Sequence, residues 1–228
     1  MWRPLASAAL LLGACAPAAP PAFPPCPDDA CRQRSALRLD ALRLRWSPSA
    51  PRTLRLAVAI EEGRTGHAFS ARGACAVRPP DALRLQLVGP AGALALDLWI
   101  NGPRARLAVP AVERVEREPE ALGPGRPTAF LRWWLLSPLD GEIEEASDSP
   151  RWRLRDAQGG QITVESEGDV LRLERRSGGD RETIEARGGP CGEATYRSEA
   201  ARLRVQVRCE GEGPPPTPRA FLDPDRGG

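Results

Sequence analysis

The stretch from Pro79 to Pro110 restricts the fold of this chain more than any other. Leu83, Leu85 and Leu87 alternate with Arg84 and Gln86, and a strand patterned in this way buries one face only. Gly89-Pro90-Ala91-Gly92 then reverses the chain, because proline presets φ and glycine tolerates positive φ. Leu94, Leu96, Leu98 and Ile100 resume the alternation, and Asn101-Gly102 is a strong two-residue hairpin signal. Beyond it Leu107 and Val109 face inward while Arg104 and Arg106 face water. The spacing predicts a three-strand antiparallel meander, apolar on one side and wet on the other.

The same period recurs on either side. Leu54, Leu56, Val58 and Ile60 form one strand, and His67, Phe69, Ala71, Gly73, Cys75 and Val77 alternate along the next. The small residues of that second strand point to a strong bend or to close passage of other groups. Further strands carry Trp152 and Leu154, Ile162 and Val164, Leu171 and Leu173, Ile184, Tyr196, and finally Leu203 to Cys209. Arg151, Arg153, Arg155, Glu165, Arg172, Glu174, Arg202, Arg204 and Arg208 take the outer side of this half.

Other segments read differently. Ala30–Asp40 is expected as a short helix, and Leu42, Leu44 and Trp46 as a strand or extended lead-in. Val112–Gly125 reads as a linker and Glu142–Ser149 as acidic and solvated. Pro127–Ser137 changes period, with Phe130, Leu131, Trp134 and Leu135 at helical spacing. Pro127 suits a first helical turn and Pro138 ends the run. That helix is too short to cross a membrane and too apolar to lie free in water, so it is expected to cover the concave face of the sheet. The expected fold class is mainly β, a single curved antiparallel sheet forming an unclosed half-barrel, with a few helices over its concave face.

The N-terminus is not fold material. Arg3 is followed by the apolar run Leu5–Ala14, short of the roughly 20 residues that span a bilayer. Leu12-Gly13-Ala14-Cys15 resembles a bacterial lipobox. The resemblance implies cleavage before Cys15, a diacylglycerol on its thiol and an acylated amine. An ordinary secretion signal with an incidental cysteine is the alternative. Each buried CH₂ adds about 0.8 kcal/mol of membrane affinity, so several chains on one cysteine would hold the protein on a membrane permanently. Ala16–Pro27 is a Pro/Ala tether. The expected organisation is a signal peptide (1–14), a lipidated cysteine with its tether (15–30), a folded domain (31–210) and a flexible Pro/Gly-rich tail (211–228). The expected location is the bacterial cell envelope, at the outer membrane facing the periplasm.

Export implies an oxidising compartment in which cysteines pair. Once Cys15 is lipidated, Cys26, Cys31, Cys75, Cys191 and Cys209 remain, an odd number. Cys26–Cys31 and Cys191–Cys209 are the preferred disulfides, with Cys75 free among apolar neighbours. Without a CxxC pair, and with one histidine in the chain, no metal site or cofactor is expected. His67 and Ser70 lie close in sequence but have no orienting acid nearby. The adjacent pairs Glu61-Glu62 and Glu144-Glu145 diverge on a strand. No enzyme is expected. The net charge of +2, and arginine rows without aromatic platforms, give no case for nucleic acid.

Pro80, Leu83, Arg84, Leu85, Leu87, Gly89, Pro90 and Gly92, followed by Leu94, Leu96, Leu98, Asn101 and Gly102, resemble the strand pair of the LolA/LolB lipoprotein-carrier superfamily. The resemblance implies a half-barrel with helices in its mouth and an apolar cavity for acyl chains between them. The lipobox fits the LolB branch, itself an outer-membrane lipoprotein; that branch carries a large apolar residue on a protruding loop, where this chain has Ala91. The inward-facing candidates for such a cavity are Leu56, Val58, Phe69, Leu85, Leu87, Leu96, Leu98, Phe130, Leu131 and Trp134. The implied function is binding of lipid or lipoprotein clients for transport or outer-membrane biogenesis. The alternative is a structural or assembly lipoprotein that uses its sheet to dock proteins.

Overall fold

The structure, a computed structural model, describes residues 23–110, 113–117, 127–157, 159–177 and 180–225. Thirteen strands form one sheet in the order β6-β5-β4-β3-β2-β1-β13-β12-β11-β10-β9-β8-β7. The first half comprises β1 (Arg52–Glu62), β2 (His67–Arg78), β3 (Ala82–Val88), β4 (Leu94–Asn101), β5 (Arg104–Val109) and β6 (Arg114–Arg117). The second comprises β7 (Glu142–Ala146), β8 (Arg151–Arg155), β9 (Gln161–Glu167), β10 (Val170–Ser177), β11 (Asp180–Arg187), β12 (Glu193–Ser198) and β13 (Leu203–Glu212). Every pairing is antiparallel, and β13 returns to pair with β1. Two meanders therefore meet at β1–β13, and β6 and β7 remain as the two edges. Helix α2 (Pro127–Leu136) connects those edges in sequence, and helix α1 (Asp29–Trp46) precedes the sheet. This is an unclosed, mainly β half-barrel.

The register fixes the faces. Leu54, Leu56 and Val58 on β1 stand opposite Cys75, Gly73 and Ala71 on β2. These in turn lead to Leu85 and Leu87 on β3, and then to Leu98 and Leu96 on β4. In the other direction Val58 meets Val207, and Ile60 meets Val205. One apolar inner face thus runs through both halves, as the period-two pattern predicts.

At Gly73 a side chain would have no room. A Cβ there would lie 1.8 Å from the carbonyl oxygen of Gln86, so close passage by β3 accounts for glycine at this point of β2. Gly73→Ala is expected to destabilise the fold by about 1–3 kcal/mol, the cost of overpacking. Urea denaturation measures it as a lower midpoint with an unchanged m-value.

Helix α1 runs further than its sequence pattern implied. Asp28 caps its N-terminus by accepting from the Cys31 amide at 2.7 Å, and the helix continues through Trp46. The alternation of Leu42, Leu44 and Trp46 is therefore not that of a strand. Leu39, Leu42 and Trp46 share one helical face with Cys31 and Ser35 and are buried, while Leu44 is 84% exposed. Helical spacing of three and four outweighs an alternation that places its middle leucine in water.

Three other segments depart from expectation. Glu142–Ala146, expected as acidic and solvated, forms edge strand β7, paired to β8 and exposed only at Glu142 and Ile143. Its glutamates meet arginines there: Glu145 lies 2.6 Å from Arg153, and Glu144 contacts Arg155. Within the expected linker, Arg114–Arg117 pairs with β5 as β6. The segment from Gly211 was expected as a loose tail. Instead β13 extends to Glu212, and a 3₁₀ turn at Pro218–Phe221 seats Phe221, 4% exposed, on the outer side of the sheet. Trp99 Nε1 donates to the Phe221 carbonyl at 3.1 Å, and the Arg78 guanidinium lies 4.7 Å from the Phe221 ring. Arg104–Asp223 and Arg106–Asp225 fasten the chain beyond it, at 3.1 and 2.9 Å. Proline-rich composition lowers the entropy of the unfolded tail, and one aromatic anchor with these polar contacts holds it.

Candidate functional site: the inner face of the half-barrel

The two halves of the inner face are covered unequally. Over β8–β11 it is closed: Trp152, Leu154, Ile162, Val164, Leu171, Leu173 and Ile184 are all at most 1% exposed. Helix α1 belongs to the same packed cluster through Leu39, Leu42 and Trp46. The Trp152 indole N–H donates to the Ser35 carbonyl at 3.1 Å, which satisfies a buried donor and sets the helix over β8.

Over β1–β5 the inner face is part-open. Leu56, Val58, Leu87 and Leu98 are buried. Ile60, Leu85, Leu96 and Leu107 are only half-buried, as are Trp134 and Leu135 on α2. Phe69 and Leu94 are 38% and 40% exposed. Trp133 and Leu136 anchor α2 in the core, and the Trp133 N–H donates to the Asp140 carbonyl at 2.8 Å. Arg132 and Ser137 tie the helix to the carbonyls of Gly102 and Pro80, at 2.6 and 3.3 Å. The exposed apolar area would gain about 25 cal/mol per Å² on being covered, and that is the chemical capacity of the site: it favours hydrocarbon. The strand side chains named here are all apolar.

Of the inward-facing candidates, the seven on strands share this one face. Leu56, Val58, Leu87 and Leu98 form its floor; Phe69, Leu85 and Leu96 form its accessible part. Trp134 on α2 is half-buried and packs against the same core cluster. Phe130 and Leu131 lie in α2 by backbone, and their side chains lie outside the described residues, as does Cys15. The turn after β3 closes with Gly92 donating to the Gly89 carbonyl at 2.9 Å, and Ala91 at its tip is exposed.

Cys26–Cys31 and Cys191–Cys209 are disulfide-bonded, with Cα atoms 5.5 and 5.0 Å apart. Cys75 is free and fully buried. Burial pushes its thiol up to about 12 against the pull of Arg52, so it is no nucleophile at neutral pH. His67 and Ser70 project from opposite faces of β2 and form no dyad. No cluster of potential metal ligands occurs among the described residues. No helix among them is long and apolar enough to cross a membrane.

Sequence reasoning missed a buried polar group on this same face. Arg175, Glu182 and Ser198 stand in register across β10, β11 and β12, with Tyr196 beside them. Arg175 Nε donates to Glu182 Oε2 at 2.7 Å, and the Tyr196 hydroxyl donates to Glu182 Oε1 at 2.6 Å. Burial, then the bond to Glu182, drive the Tyr196 phenol above its ordinary range. The signal was present: Arg175 is in phase with Leu171 and Leu173, and Glu182 with Ile184.

A half-barrel of antiparallel strands whose hollow takes two helices defines an architectural class, and that class is the LolA-like fold. The crystal structure of a LolA superfamily protein from Nitrosomonas europaea matches it with a TM-score of 0.55 at 10% identity, over 84% of this chain and 98% of that one. A putative outer membrane lipoprotein-sorting protein domain from Vibrio parahaemolyticus aligns over 80% of this chain and 92% of its own, with a TM-score of 0.40 and 9% identity. No protein-family model and no curated protein matches the sequence.

Proposed function

We propose that this protein is a cell-envelope lipoprotein, anchored through Cys15, that binds acyl chains of a lipid or lipoprotein client on the inner face of β1–β5. The observation that carries the reading is the asymmetry of the inner face: one half filled beneath α1, the other apolar and part-exposed beside α2. Ligand sites are concave and mostly apolar, and the shared LolA-like fold agrees with a carrier for hydrocarbon. The lipobox-like Leu12–Cys15 supports residues 1–14 as the signal and 15–30 as the anchored tether. It also supports location at the outer membrane, facing the periplasm.

Phe69 offers the cleanest test, because its exposure lets a polar side chain stand there without disturbing the core. Phe69→Asp is expected to lower affinity for a fluorescent fatty acid by about 10- to 100-fold, the equivalent of one lost aromatic contact. Its denaturation midpoint should stay near that of the parent. Equal uptake by parent and variant would remove this face as the site. It would favour the assembly reading, in which the sheet docks a protein.

A further inference from the structure

The C-terminal segment crosses the outer side of one half of the sheet. It leaves β13 beside β1, where the Gly213 amide donates to the Thr53 carbonyl at 2.8 Å. Four of residues 214–218 are proline, and Thr217 is extended, with φ −76° and ψ 155°, so the connection is stiff. Phe221 then packs on Ala76 of β2 and Ala82 of β3, in a small cluster separate from the main core. Its carbonyl accepts from Trp99 Nε1 and, at 3.3 Å, from Asn101 Nδ2, both on β4. The ion pairs of Asp223 and Asp225 reach β5. The segment is thus fastened at β1 and at β5, over the strands whose inner face is part-open. Strand β4 carries both surfaces, with Trp99 under the segment and Leu96 and Leu98 toward the hollow.

We infer that this segment is a strap that keeps the part-open half of the hollow from curling shut. Water favours the opposite: covering the exposed side chains of Phe69 and Leu94 gains about 25 cal/mol per Å², and a tighter curl of β1–β6 covers them. Curling a sheet lengthens its convex side, because the outer side chains splay as the inner ones converge. A stiff segment bonded at both ends of that side resists the lengthening. The other half needs no such device, since it is packed solid beneath α1. One consequence rests on the inner face being the ligand site, namely that release of Phe221 weakens hydrocarbon binding. The mechanical part stands on the contacts alone.

The test reads the gap between the two edges of the sheet, without ligand, in the Cys15→Ser chain. Val115 on β6 and Ile143 on β7 are exposed, so Val115→Cys with Ile143→Cys accepts a nitroxide on each edge. The remaining cysteines are disulfide-bonded or buried and do not label. Phe221→Ala is expected to shorten the spin–spin distance by about 5 Å, one strand spacing. Asp223→Asn with Asp225→Asn keeps the aromatic seat and should shorten it less; this variant serves alone if Phe221→Ala does not fold. A distance left unchanged or lengthened would overturn the inference. Fatty-acid affinity is expected to fall about 10-fold in Phe221→Ala, the size of a typical coupling between two sites. Shortening in a protein whose parent takes up no fatty acid would uphold the strap and remove the ligand reading alone.

Discussion

Glu182→Gln is expected to destabilise the folded protein by about 3–5 kcal/mol, the usual consequence of stranding a buried charge. The substitution keeps the shape of the side chain and removes its charge. Arg175 and Glu182 are each 4% exposed, within a face whose other buried side chains are mostly apolar. The carboxylate accepts from Arg175 on one oxygen and from Tyr196 on the other, so an amide leaves the guanidinium without its counter-charge and gives one of the two donors an N–H group in place of an acceptor oxygen. The two charges compensate each other, and that sets the companion result. Arg175→Met with Glu182→Leu is expected to return stability to within about 1–2 kcal/mol of the parent or above it, because the pair's desolvation cost vanishes with its attraction. Urea denaturation of both single variants and the double variant closes the cycle. Additive losses would show that the two side chains are not coupled as the geometry requires.

Trp152→Ala is expected to cost about 3–5 kcal/mol, the range for removing a large buried aromatic. Trp152 is 1% exposed, lies beneath α1 and donates to the Ser35 carbonyl. Truncation opens a void between sheet and helix and leaves that carbonyl without its donor. Trp152→Phe separates the two contributions: it fills most of the space and loses only the hydrogen bond, worth about 1 kcal/mol net. Thermal unfolding followed by far-ultraviolet dichroism reads both. Truncation with no greater effect than the phenylalanine variant would mean that α1 is not packed on β8.

Much of this architecture was legible in the residues because a strand declares its buried face every second position. The phases of β1, β3, β4 and β13 follow directly from Leu54–Ile60, Leu83–Leu87, Leu94–Ile100 and Leu203–Cys209. Short windows failed where two periods coincide. Leu42, Leu44 and Trp46 fit a strand over five residues, and only Leu39 and Ser35 upstream reveal the helix. The docked tail was illegible for another reason: Phe221 is one apolar residue in polar sequence, and its seat is made by Trp99 and Arg78 from distant strands. For the candidate site, alternation told which leucines share a face but not which are covered. The closed and part-open halves carry the same pattern; they differ because α1 lies over β8–β11 and α2 only partly over β1–β5. That is a property of helix placement, decided by contacts over a hundred residues apart, such as Trp152 with Ser35.

The central claim is that the part-open inner face holds hydrocarbon. Its most direct test is native mass spectrometry of the Cys15→Ser protein recovered from a periplasm, followed by extraction of whatever it retains. The account predicts a retained mass that releases phospholipid or an acylated peptide, and loss of that mass in Phe69→Asp. Protein that emerges without ligand, and takes up no fluorescent fatty acid afterwards, would contradict it.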